Sequence, residues 1–144
     1  MRIFLSGPFF NDEEVRRIGR VKDSLEGLGF EVYSTSHRNP PIDLGSKVQK
    51  NRRFRLLCQE IEKSDGVFAV LDGKDAGTIW EMGYAFALGK PVAAFVEQDR
   101  YYSLMIDSSA HVVYGSGELD NRLEEFYRTG KPKKGLGPAA SLHE

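Results

Sequence analysis

Cysteine is almost missing from this chain of 144 residues: the one thiol, Cys58, has no partner for an intramolecular disulfide. The fold must therefore hold without covalent staples, and a reducing cytoplasm is the expected setting. Cys58 itself reads as a small buried hydrophobe. The opening Met1-Arg2-Ile3-Phe4-Leu5 has neither the charged nor the long apolar region of a secretory signal, in line with that expectation. Long hydrophobic runs are absent as well. No apolar segment approaches the roughly 20 residues that span a bilayer, so no membrane partner is expected. Nor is there an excess of either charge, with 20 Lys and Arg against 21 Asp and Glu. Such a balance gives no electrostatic reason to expect nucleic acid, and it points to a small-molecule partner. His37 and His111 stand apart from any Cys or His at metal-ligand spacing, so no metal site is expected.

What is present is an alternation of two periods. Short apolar runs at Ile3–Leu5, Phe30–Tyr33, Val67–Leu71, Pro91–Val96 and His111–Tyr114 are each one strand long. Between them, Val15, Ile18, Val21, Leu25 and Leu28 recur at spacings of three and four, the mark of a helix with one buried face, and Gly29 is placed to stop it. Further helices are expected around Leu56–Ile61, Met82–Leu88 and Leu119–Tyr127. Strands alternating with helices imply a parallel sheet covered on both faces. The expected fold is α/β, a flavodoxin-like doubly wound three-layer sandwich on a five-stranded parallel sheet, with its crevice at the carboxyl ends of the strands. One domain over residues 1–130 and a flexible tail over 131–144 are expected. The polar, basic stretch from Asn39 to Arg55 reads as a mobile loop or lid.

Two segments fall where this fold places a site. In Ser6-Gly7-Pro8-Phe9-Phe10, Gly7 lets the backbone approach a ligand closely, and Phe9 and Phe10 either stack on a planar base or pack the first helix onto the sheet. The segment Asp72-Gly73-Lys74-Asp75-Ala76-Gly77-Thr78-Ile79-Trp80-Glu81 runs from the third strand into a helix and gathers three carboxylates. Asp72 before Gly73 has turn chemistry, and Asp75 is suited to order the loop. Thr78-Ile79-Trp80-Glu81 fits a capping box, in which Glu81 reaches back to the Thr78 N–H. A carboxylate in the first turn also feels the positive end of the helix dipole, which favours the ionised form that nucleophilic attack needs.

Gly7-Pro8-Phe9-Phe10, Asp72-Gly73, Asp75, Gly77-Thr78, Trp80-Glu81-Met82-Gly83-Tyr84-Ala85 and Gly89-Lys90-Pro91-Val92 together resemble the nucleoside 2-deoxyribosyltransferase family, over the chain from the first strand to about Met105. The resemblance implies double displacement on a 2'-deoxynucleoside without metal or organic cofactor: Glu81 attacks the anomeric carbon, one base leaves, and a second takes the sugar. It implies that Asp75 accepts a hydrogen bond from the 5'-hydroxyl, which favours a free nucleoside because a carboxylate repels a 5'-phosphate. Phe9 or Phe10 would lie near the base, and Asp72 and Gly77 in the substrate-binding segment. A homo-oligomer is implied, its active site shared through Ser103 to Asp107, with Ser103 and Met105 reaching the neighbour's substrate.

Three positions depart from the family pattern. Ser103 stands where asparagine is common, and serine there is also used by related nucleotide hydrolases. Phe4 stands where some members have a tyrosine that orients the catalytic glutamate, and phenylalanine has no hydroxyl to donate. Leu57 stands where many members carry an acidic or amide group that handles the departing base; Glu60, Gln59 or a residue of the 39–55 stretch are the candidates to replace it. A hydrolase acting on a nucleoside or its 5'-monophosphate, and a binding module without turnover, are therefore the competing expectations.

Overall fold

In the computed structural model, which describes residues 1–99 and 103–115, each of the five apolar runs forms a strand. The order along the chain is β1 (Arg2–Ser6), α1 (Asp12–Gly27), β2 (Glu31–Ser34), α2 (Thr35–Arg38), α3 (Lys47–Lys63), β3 (Gly66–Val70), α4 (Ala76–Ala87), β4 (Val92–Val96), α5 (Leu104–Ser109) and β5 (His111–Tyr114). The strands make one sheet in the order β2-β1-β3-β4-β5, every pair parallel. This is the flavodoxin-like doubly wound order expected from the sequence.

Side-chain alternation along the strands divides the core in two. Ile3, Leu5, Phe68, Val70 and Phe95 pack on Ile18, Val21 and Leu25 of α1. On the other face Phe4, Val67, Ala69 and Ala94 meet Ile61 of α3, Met82 and Ala85 of α4 and Ile106 of α5. Parallel strands carry helices on both sides, so each strand is apolar at nearly every position, as the uniformly buried β3 and β4 show. Each fully buried Phe or Leu contributes about 1.5–3 kcal/mol of hydrophobic stabilisation.

Local chemistry sets the helix ends. The Asn11 side chain accepts the Glu14 N–H at 2.9 Å, and Asp12, Glu13 and Glu14 sit at the positive end of the α1 dipole. Gly29, at φ 94°, turns the chain out of that helix into β2.

Two expectations are corrected. The 39–55 stretch is not loop throughout: Ser46 caps α3 by accepting the Gln49 N–H, and the helix runs from Lys47. Only Glu60 and Ile61 of α3 are buried, so its first turns lack the apolar stripe by which sequence announces a helix. Helix α4 likewise starts at Ala76, six residues before the expected Met82. The expected helix over Leu119–Tyr127 and the tail over 131–144 lie outside the described residues.

The strand order reverses at β1, which has β2 on one side and β3 on the other. Ser6, Val70 and Ser34 end these three strands at the same edge, where the fold opens its crevice.

Candidate active site

The site begins with a tight crossing. A Cβ on Gly7 would stand 2.6 Å from Ile18 Cδ1 and 3.0 Å from Val70 Cβ, so glycine lets the chain leave β1 between α1 and β3 without displacing either side chain. The residue before it, Ser6, is buried at 2% exposure. From the second turn of α4, Glu81 reaches across to it, and the Ser6 hydroxyl donates to Glu81 Oε1 at 2.5 Å.

Glu81 is therefore not part of a cap. Asp75 is the N-cap of α4: its Oδ2 accepts the Thr78 N–H at 3.0 Å and the Thr78 hydroxyl at 2.8 Å. The Thr78-to-Glu81 capping box expected from sequence gives way to an Asp75-to-Thr78 cap three residues earlier. Glu81 is freed to face the crevice, and it loses the benefit expected from the helix dipole, which falls off beyond the first turn. Burial pushes its carboxyl up from the ordinary 4.5 to about 7, the Ser6 hydrogen bond pulls it down, and the nearby Asp75 charge raises it. A carboxyl raised this far by its surroundings and facing a crevice is a candidate for chemistry.

Glu81 lines two cavities, as does Leu57. One, of about 180 Å³, is lined by Ser6, Gly7, Phe9, Leu57 and Glu81 together with Ser34, Thr35 and Ser36 from the end of β2. The other, of about 260 Å³, is almost wholly apolar, walled by Phe54, Leu57, Cys58, Ile61, Gly77, Trp80 and Glu81. Trp80 stands 5.3 Å from the rings of both Phe54 and Tyr84. A void of about 150 Å³ holds one benzene ring, so the first cavity has the scale of a single flat heterocycle.

The expected residues divide as follows. Gly7, Phe9, Gly77 and Glu81 meet at the two cavities. Phe9 and Phe10 stack with ring centroids 6.1 Å apart but remain 40% and 78% exposed, so they do not pack α1 onto the sheet. Asp75 is half-buried beside Glu81, held by its cap. Asp72 is not brought to either cavity. It is 2% exposed, and its oxygens accept the backbone N–H groups of Glu97, Gln98 and Asp99 at 2.7, 2.8 and 3.0 Å, with Arg17 at 3.8 Å. Its place in the substrate-binding set is corrected to ordering the loop after β4.

Ser103 and Met105 line neither cavity of their own chain. Ser103 is 5% exposed and caps α5 through the Ile106 N–H, while Leu104 and Met105 project to solvent at 54% and 66%. Glu60 cannot stand in for an acid at Leu57, because its carboxylate pairs with Arg2 at the start of β1, the opposite end of the sheet. Phe4 is fully buried and stacks on Tyr33 at 5.6 Å. The hydroxyl missing there is supplied by Ser6.

Sequence reasoning passed over the hydroxyl wall of Ser34, Thr35 and Ser36. Behind it, His37 Nδ1 lies 2.9 Å from Ser34 Oγ and 3.0 Å from Ser36 Oγ, and the two serine oxygens are 3.1 Å apart. The signal was a run of hydroxyls at the carboxyl end of a strand, the edge at which this fold binds ligands. Among the described residues no group of three His, Cys, Asp or Glu side chains could hold a metal ion, and no helix is long and apolar enough to cross a membrane.

Among curated proteins none matches the sequence. Solved structures do. A 2-deoxyribosyltransferase from Bacillus psychrosaccharolyticus is 30% identical, superposes with a TM-score of 0.80, and is covered over 100% of its length by 94% of this chain. A conserved protein from Enterococcus faecalis V583 shares the fold at 19% identity and TM-score 0.73, over 87% of this chain and 98% of that one. A CMP N-glycosidase from Clostridium botulinum does so at 21% identity and TM-score 0.58, over 88% and 99%. The family model for nucleoside 2-deoxyribosyltransferase matches residues 3–117. With a Glu81 crevice at the switch point of a five-stranded parallel sheet, this chain belongs to the nucleoside 2-deoxyribosyltransferase family of enzymes.

Proposed function

We propose that the enzyme moves a 2-deoxyribosyl group between nucleobases through a covalent ester on Glu81. The observation that carries this is a crevice-facing carboxylate held by one serine hydroxyl and free of any helix cap, its surroundings pushing it up to about 7. In the first displacement a Glu81 oxygen bonds to C1' as the bond to the base breaks. In the second, the incoming base attacks C1' and returns the carboxylate. Two easier substitutions replace one difficult one, each through an oxocarbenium-like transition state, and two inversions retain the β configuration. Neither step calls for a metal or an organic cofactor.

Asp75 is the group for the sugar. Both cap bonds fall on Oδ2, which leaves Oδ1 to accept from the 5'-hydroxyl. A negative charge there disfavours a 5'-phosphate, so the substrate is a free nucleoside. Phe9, on the wall of the smaller cavity, offers a face for the base. A homo-oligomer goes with this function, and the exposed Leu104 and Met105 are surfaces through which one subunit would complete another's site.

Incubation with 2'-deoxyinosine and free adenine is expected to yield 2'-deoxyadenosine. Glu81→Ala is expected to lose at least about 10⁴ in rate, the scale of deleting a nucleophile, while remaining folded. Exchange that persists in this variant would take Glu81 out of the reaction. Release of free sugar alone despite abundant adenine would replace transfer with hydrolysis, the outcome that the apolar Leu57 favours; a preference for monophosphate donors would overturn the role of Asp75.

A further inference from the structure

A neutral base leaves a sugar poorly as an anion, so glycosidic cleavage needs a proton delivered to the base. The wall of the smaller cavity offers no carboxylate besides Glu81, which is engaged as nucleophile. Leu57 contributes only methyl groups, and Glu60 is tied to Arg2 at the far end of the sheet. What faces the cavity is the triplet Ser34, Thr35 and Ser36, backed by one imidazole.

Given deoxyribosyl transfer at Glu81, we infer that Ser36 and His37 form a proton relay that protonates the departing base and deprotonates the incoming one. Ser36 is half-buried on the cavity wall, so its hydroxyl meets the base; His37 is exposed, so its outer edge exchanges protons with water. Histidine is the side chain suited to give and take a proton near neutral pH. Ser34, 1% exposed, holds the same Nδ1 at 2.9 Å and fixes the ring against the wall.

The step balances. As Glu81 oxygen bonds to C1', the C1'–N bond breaks and its electron pair stays on the base. A ring nitrogen of the base takes the Ser36 hydroxyl proton, while Ser36 Oγ takes the Nδ1 proton of the imidazolium. His37 ends neutral. In the return step the incoming base gives its N–H proton to Ser36, and His37 recovers one, so no net proton is consumed in an exchange. The serine is the group in contact with substrate, and His37 acts through it.

The test compares two donors in the full-length enzyme. 2'-Deoxyinosine needs a proton to release its base; 7-methyl-2'-deoxyguanosine carries a cationic ring that leaves without one. His37→Gln and Ser36→Ala are each expected to slow the first donor by about 10²-fold or more, the scale of general acid catalysis, and the second by at least tenfold less. Ser36→Thr, which restores a hydroxyl, is expected to recover most of the loss seen in Ser36→Ala. Equal slowing of both donors, or slowing of neither, would overturn the relay. Should the unaltered enzyme release base from neither donor, with no adduct on Glu81 by mass spectrometry, deoxyribosyl transfer itself fails; a Glu81 adduct with donor-independent variants fails the relay alone.

Discussion

The two ends of the β3–α4 segment hold a carboxylate each, and they hold them in opposite ways. Asp72, just past β3, is saturated: three backbone N–H groups and the Arg17 guanidinium surround it. Glu81, in α4, is half-buried with one hydroxyl and a second carboxylate nearby, and partial burial pushes its carboxyl up to about 7. A saturated acid orders a loop; an acid left short of partners keeps a lone pair for chemistry. Nine residues apart in sequence, the two look equally functional until their partners are counted.

The sharpest way to break this comparison is to treat the two acids alike. Asp72→Ala strips the backbone N–H groups of Glu97, Gln98 and Asp99 of their shared acceptor while Arg17 keeps Glu13 and Glu97, and an expected loss of about 1–3 kcal/mol in urea unfolding follows. Exchange per folded molecule should survive. Lost exchange in a fully folded Asp72→Ala protein would return Asp72 to the site.

Glu81→Gln should do the reverse, trading activity for stability. Because the folded protein holds the Glu81 proton up to about pH 7 and the unfolded chain releases it near 4.5, native stability falls as pH rises across that interval. Above pH 7 the ionised buried carboxylate costs its full penalty, and the neutral amide avoids it. A gain on the order of 1–3 kcal/mol at pH 8, vanishing near pH 4, is the expected outcome. Equal stabilities at both pH values would mean that Glu81 is ordinarily hydrated.

The smallest effect belongs to Ser6. On the proposed mechanism the attacking form is ionised Glu81, so the exchange rate should climb with pH through a midpoint near 7. Ser6→Ala removes the one bond that favours the charged form, and the midpoint should move to higher pH, with a loss of about tenfold at pH 7. A midpoint that stays in place would show that Ser6 does not hold the reacting carboxylate.

Strands were the most legible part of this chain. The run Val67–Leu71 lies one residue from β3 (Gly66–Val70) and His111–Tyr114 coincides with β5, because strands buried on both faces are unbroken apolar runs. The start of α3 was hidden because its first turns bury nothing. The start of α4 was misread because Asp75-x-x-Thr78 and Thr78-x-x-Glu81 are overlapping cap signals, and local sequence cannot rank them. Glu81 and Asp75 stand out in the sequence as cap and loop acids, and the family resemblance adds the roles expected of them. The hydroxyl wall was missed because serines and threonines after a strand also serve ordinary turns.

By itself, then, the sequence determined the alternation of strand and helix, the parallel sheet and the candidate acids, since each is written in local periodicity and in short motifs. Only the tertiary structure decided which partners those acids meet. The bond from Ser6 to Glu81 spans 75 residues, and the anchoring of Asp72 spans 25 to 27. Partners that far apart meet only after the sheet has assembled in order, and burial, which sets the charge of Glu81, exists only once α4 has packed against it.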